Sequence, residues 1–173
     1  SLKIQPILKI SQADSPDLLN AKVGFLFVGP FKPIFADPEV LAMASLIRQG
    51  GFLFIDNSAF SSNYQYNDLM TALLQNIGSK LDRQVRVIPV PNDHQIYKIW
   101  HRLDGPPRGK DDIENMPDKR NFLQGLFLRD KLVAVLSSKG YSMMWDQRDP
   151  ALIQQFILGT NIVIYAVTTL KLQ

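Results

Sequence analysis

The stretch KVGFLFVGPFKPIFADPEVLAMASLIRQGGFLFIDNS, residues 22–58, decides the fold. Its opening, Lys22 to Val28, is an almost unbroken apolar run, as a strand covered on both faces must be. Asp37-Pro38-Glu39 then starts a helix. Asp37 is a suitable cap, Pro38 fits the first helical position, and Glu39 favours the positive end of the helix dipole. Val40, Leu41, Ala44 and Ile47 form its apolar stripe, and Gly50-Gly51 stops it. GFLFI, 51–55, is a second buried strand. Strand, helix and strand fit into the 34 residues from Lys22 to Ile55. That is the length of a βαβ unit, whose crossover is expected to be right-handed.

The pattern continues on both sides. Lys3 to Ile10 reads as a strand, irregular or at an edge because of Pro6. Asn67 to Ile77 reads as a helix stopped by Gly78. Val85 to Val90 reads as a third parallel strand, and Asp93 to Trp100 as a short helix or turn. Asn121–Arg129 and Lys131–Ser137 meet at Asp130 as an antiparallel hairpin, although Arg-Asp-Lys is not the usual turn chemistry. Asp149-Pro150 repeats the cap-and-proline start. The last helix, about Ala151 to Thr168, is apolar on most sides and is expected to be largely buried. Gly159, Thr160 and Asn161 mark a bend or a close contact within it. The expectation is a three-layer α/β sandwich with a mostly parallel sheet and an antiparallel C-terminal hairpin. A length of 173 residues suits a single domain, 1–173.

Composition removes several classes of function. With 46% hydrophobic and 20% charged residues, the chain is neither disordered nor collagen-like. Cysteine is absent, which excludes a thiolate zinc site, a disulfide framework and a cysteine nucleophile. The formal charge is +3, and the pI of about 9.2 overstates it. The densest charged stretch, Arg102 to Arg120, holds five basic and five acidic residues. It reads as a solvated loop, so nucleic acid is not an expected partner. The run Phe156–Leu170 is shorter than the roughly 18 apolar residues of a membrane span, so no span is expected. The opening Ser-Leu-Lys suggests an excised piece of a longer chain, its first two residues a cloning remnant.

In an open parallel sheet a ligand sits at the carboxyl ends of the strands, near the switch in strand order. Gly29-Pro30-Phe31, Asp56-Asn57-Ser58 and Pro91-Asn92-Asp93-His94 leave three such ends. Asp56, Asn57, Ser58 and His94 are the candidate ligand-binding residues, with Asp56, His94 and Asp93 as the catalytic candidates. Asp56, a carboxylate straight after an apolar strand, is either a functional acid or an Asx-turn acceptor holding the next loop. His94 is either a general base or metal ligand, or a helix-start histidine bonded to a nearby loop. Asp93 reads first as a helix cap. Ser58 lacks the Gly-x-Ser-x-Gly setting of a hydrolase nucleophile. His101 follows His94 by about two helical turns, wider than the usual ligand pair. No Gly-x-Gly-x-x-Gly or Walker lysine motif occurs, and no cofactor is expected. The aromatic loop Phe60, Tyr64, Tyr66 lines a pocket or covers the sheet end. YSMMWD, 141–146, is an adhesive patch or core beneath the last helix.

Three stretches in order, FLFVGP with RQGGFLFIDN, NDHQIYKIW about 40 residues on, and LGTNIVIYAVT, resemble a bacterial family. It is the family of domains of unknown function numbered 4159. The resemblance covers roughly Ile4 to Thr168 and implies a class I glutamine amidotransferase-like (flavodoxin-like) fold without a known activity. It also implies a parent protein that is exported or membrane-tethered. Asp56, Asp93, His94 and Asn161 match recurrent positions of the family. Gln95 stands where proline is usual, and Lys98 where a second histidine often follows, which leaves any metal site undefined. The amidotransferase triad of the wider fold needs a cysteine that this chain lacks. Three readings follow. The first is a non-catalytic domain that binds a protein or small-molecule ligand in an envelope-associated protein. The second is a metal-assisted or acid–base hydrolase using Asp56 and His94, with Asp93 orienting the histidine. The third is a homodimerising module using the Met/Trp segment.

Overall fold

The computed structural model describes residues 9–10, 12–29, 32–58, 65–81, 84–113, 120–147 and 149–170. Among these residues five strands form one open sheet: β1 (Val23–Val28), β2 (Phe52–Asn57), β3 (Val85–Pro89), β4 (Gln124–Leu128) and β5 (Lys131–Ser137). Six helices accompany them among the described residues. They are α1 (Pro16–Leu19), α2 (Asp37–Arg48), α3 (Gln65–Ser79), α4 (Lys110–Ile113), α5 (Tyr141–Asp146) and α6 (Ile153–Thr169). The βαβ unit expected from residues 22–55 is present as β1–α2–β2, with β1 and β2 parallel.

The strand order is β1-β2-β5-β4-β3, which corrects the expected mostly parallel sheet. The sheet is mixed. β1–β2 and β2–β5 are parallel pairs, while β5–β4 and β4–β3 are antiparallel. Val85–Pro89 is therefore not a strand of a parallel run but an edge strand bonded to antiparallel β4. The physical reason lies in the sequences. Six of β5's seven residues, Leu132 to Ser137, are buried, whereas β3 carries exposed Arg86, Ile88 and Pro89. β5, buried along all but its first residue, takes the centre beside β2, and the hairpin it belongs to moves β3 outward. The hairpin turns at Arg129-Asp130, with Arg129 at φ 48°.

Smaller corrections follow. The α2 cap is Ala36, one residue earlier than expected, and the Ala36 N–H donates to Glu39 Oε2 at 2.7 Å. Asp149 does cap, accepting from the Ala151 N–H at 2.8 Å, but it caps a 3₁₀ turn at Pro150–Leu152 that precedes α6. Through Gly159 to Asn161 the helix runs on unbroken. A Cβ at Gly159 would stand 3.3 Å from the Trp145 ring, so close packing explains that glycine. The α6 helix is only partly buried. Leu158, Ile162, Tyr165 and Ala166 enter the core, while Ile153 is 58% exposed and Thr160 also faces outward. Pro150–Thr169 is long and apolar enough to cross a membrane by length and composition, which the shorter run counted in the sequence had missed. The expected strand at Lys3–Ile10 falls largely outside the described residues, and Lys9 and Ile10 are not in a strand.

Candidate functional site

Alternation along β2 sends its side chains to opposite faces. Phe52, Phe54 and Asp56 meet Tyr165, Trp145 and Ser142 respectively, on the side of α5 and α6. Asn57 turns to the other side, where its Nδ2 donates to Asn67 Oδ1 of α3 at 2.7 Å. The chain leaves β2 towards α3 and leaves neighbouring β5 towards α5. The carboxyl ends of β2 and β5 are thus where the connections part to opposite faces, the switch point of this sheet.

Asp56 is fully buried there. Its Oδ2 accepts from the Ser142 N–H and from Ser142 Oγ, both at 2.7 Å. Ser142 lies in the first turn of α5, whose cap residue Gly140 (φ 65°) has no side chain to offer. A carboxylate from a strand 86 residues away performs the N-cap's task. This replaces the expected Asx-turn, in which Asp56 would have held its own following loop. Burial pushes the Asp56 carboxyl above the ordinary range, opposed by the bonds from Ser142, by the Ser137 side chain and by the Tyr141 backbone. Its Oδ1 makes no hydrogen bond among the described residues.

Just past the end of β5 lies a buried cation that the sequence reading missed. Lys139 Nζ sits 2.9 Å from Asp112 Oδ2 and 3.2 Å from Asp111 Oδ2, and donates to the Arg120 carbonyl at 2.9 Å. Lys139 and Asp111 are both buried. The Lys110 N–H donates to the Lys139 carbonyl at 2.7 Å, and a Cβ at Gly109 would come within 2.4 Å of Lys139. The charged stretch 102–120 is therefore not wholly a solvated loop. Its middle is tied to the exit of β5. The available signal was Ser137-Ser138-Lys139-Gly140, a lysine set straight after a buried strand. Tyr141 completes the lock, its hydroxyl donating to the Pro107 carbonyl at 2.6 Å.

Ser58 and His94 are likewise engaged. Ser58 donates through both N–H and Oγ to the Val28 carbonyl, at 3.0 and 2.7 Å. His94, not Asp93, caps the 3₁₀ turn Gln95–Tyr97, with Nδ1 accepting from the Ile96 N–H at 3.2 Å. The His94 ring packs on Tyr165 and Phe127, and burial lowers its pKa against the opposing pull of Asp93. Asp93 is exposed. Asn161 is buried and clamps the backbone of His101. Its Nδ2 donates to the His101 carbonyl at 2.8 Å and its Oδ1 accepts from the His101 N–H at 3.1 Å.

Asp56 and His94 follow strands that end on the same rim of the sheet, because β3 runs in the direction of β2, but they are not neighbours on it. The ends of β2 and β3 are three strand spacings apart, about 14 Å, with β5 and β4 between them. Tyr141 and Tyr97 are both buried; burial pushes the Tyr141 hydroxyl up, and Tyr97 adds to that push. Among the described residues no three His, Asp or Glu side chains converge as a metal set. Tyr66 of the aromatic loop is buried core, while Phe60, Tyr64, Pro30 and Phe31 lie outside the described residues. YSMMWD divides between its two readings: Tyr141 and Met144 are core, and Met143 and Trp145 reach the surface.

The domain of unknown function DUF4159 matches residues 1–167. The chain belongs to the DUF4159 family. No curated protein matches it. In this member of DUF4159, Asp56, His94 and Asn161 each hold a backbone segment in place. They make three structural ties: β2 to α5, the 3₁₀ turn to itself, and α6 to the His101 backbone.

Proposed function

We propose that this DUF4159 domain is a non-catalytic protein-binding domain of a bacterial envelope-associated protein. Its frame is read as flavodoxin-like and three-layered, of the class I glutamine amidotransferase kind. The parallel set β1-β2-β5 supports that frame. So does the division of contacts, with Leu46 of α2 under Gly24 and Leu53 on one side and Trp145 and Tyr165 on the other. Envelope association rests on the family resemblance.

One observation carries the binding reading. Phe25 and Phe27, on the edge strand β1, are 40% and 51% exposed. They lean on each other and on Trp145, with ring centroids about 6 Å apart. Aromatic side chains clustered at a surface are what protein interfaces are built around. Asp56 and His94, by contrast, are occupied with backbone groups.

The test places a photo-cross-linking residue at Phe27 and, separately, at Gln95 beside the far edge of the sheet, in cells of the native host. Discrete heavier adducts from position 27 and none from position 95 are expected. Adducts only from position 95, or from neither, would sink the reading.

A further inference from the structure

The two edges of the sheet are treated differently. β3 carries Arg86, ion-paired to Asp130 at 2.8 Å, and ends at Pro89. Charge and proline are the usual guards against strand addition. β1 has neither. Val23-Gly24-Phe25-Leu26-Phe27-Val28 holds no charge, no proline and no register shift, and β2 is its one strand neighbour among the described residues.

Pairing with β2 fixes which backbone groups look outward. The Lys22 carbonyl accepts from the Phe52 N–H, and the Val28 carbonyl from the Ser58 N–H. In a parallel ladder this turns residues 22, 24, 26 and 28 towards β2. The N–H and C=O groups of Val23, Phe25 and Phe27 then point away from the sheet.

We infer that β1 pairs antiparallel with the β1 of a second copy of this chain, about a two-fold axis at Phe25. This rests on the binding reading above and names its partner. The outward-facing residues must be the ones that exchange hydrogen bonds. With Phe25 on the axis, Phe25 faces Phe25, and Val23 faces Phe27 of the other copy. Aromatic–aromatic and aromatic–β-branched pairs are the combinations that strengthen antiparallel strands. No like charges meet along the seam, because neither copy brings a charge to it. The two-fold also closes, consuming the one unguarded edge of each copy. The seam is short. Two half-exposed phenylalanines offer about 180 Å² in a copy, and the strand backbone adds to it. That falls below the roughly 800 Å² per partner of a standard interface, so association in the micromolar range is expected.

Sedimentation of the full chain between about 1 and 200 µM is expected to show a mass rising from 19.6 kDa towards twice that value. The register is tested with single cysteines, since the chain has none of its own. Cα atoms of a hydrogen-bonded antiparallel pair stand about 5.5 Å apart, within disulfide reach. Phe25→Cys should therefore link covalently to itself under mild oxidation. Val23→Cys and Phe27→Cys should each fail alone and link when mixed. Near-UV circular dichroism checks that each variant keeps its fold, and sedimentation of the unaltered chain needs no variant. A constant 19.6 kDa across the range overturns the inference. So does a dimer in which folded Phe25→Cys does not link. If the chain is monomeric but position 27 cross-links to another protein, the binding reading stands and the second copy falls. If neither occurs, both fall.

Discussion

At the residue scale the informative group is Asp56, an acid placed where ionisation is opposed by burial and eased by Ser142. Its carboxyl is raised above 3.8, so the folded chain holds that proton more tightly than the unfolded chain. Its contribution to stability is therefore complete below that value and is lost as pH rises through the folded value. Asp111 is shifted the same way by burial, against the pull of Lys139. Asp56→Asn keeps an acceptor for Ser142 and cannot ionise. Its stability relative to the parent should climb between pH 4 and pH 8, as read from urea midpoints. A relative stability that falls over that range would mean that Ser142 wins and Asp56 is charged. Asp56→Ala also removes the titration but leaves the Ser142 N–H without its partner, at a cost of about 1–3 kcal/mol. The acid itself was visible in the sequence, because a carboxylate after five apolar residues is conspicuous. Its partner was not. Nothing local connects residue 56 to residue 142, and only the pairing of β2 with β5 brings them together.

At the element scale, α6 is held from two sides. Trp145 Nε1 donates to the Gln155 carbonyl at 2.9 Å and the ring packs on Gly159, while Asn161 grips His101. The second tie fastens the segment after the 3₁₀ turn to the helix. Asn161→Ala should cost about 2 kcal/mol, with two hydrogen bonds lost at a buried position. It should also raise amide exchange across residues 97–104 more than across β2 or β5. Uniform acceleration would mean that the amide contributes to global stability without holding that segment. The βαβ unit was legible because its strands are apolar runs and its helix is bounded by proline and two glycines. The place of β3 was not legible. A local pattern reports whether a segment is a strand, but strand order depends on which strands compete best for the centre. Lys139 was hidden for a related reason: a charge count over 102–120 comes to zero whether its acids face water or a buried lysine.

At the scale of the whole molecule the question is whether the parallel and antiparallel parts form one cooperative body. The buried residues make a single cluster. It runs from Val28, Phe54 and Leu46 through Leu74 and Ile77 to Leu126, Val135 and Tyr165, so it takes in both halves of the sheet. β5 joins them, bonded to β2 on one side and β4 on the other. The β1–β2 pair cannot part from the β4–β3 pair without breaking β5, the most buried of the outer half's strands, away from one of them. One transition is therefore expected on heating, with far-UV dichroism, Trp145 emission in a Trp100→Phe variant, and Trp100 emission in a Trp145→Phe variant all coincident. Trp100 is 64% exposed in the segment after the 3₁₀ turn and Trp145 packs on β1 aromatics, so the two report different parts of the chain. The heat-capacity change should be about 2–2.6 kcal/mol/K for a chain of this length. Should Trp100 report a lower midpoint than Trp145, β3, β4 and the 3₁₀ turn would form a separable unit. The single-domain reading of residues 1–173 would then give way to a parallel core with a hairpin docked onto it.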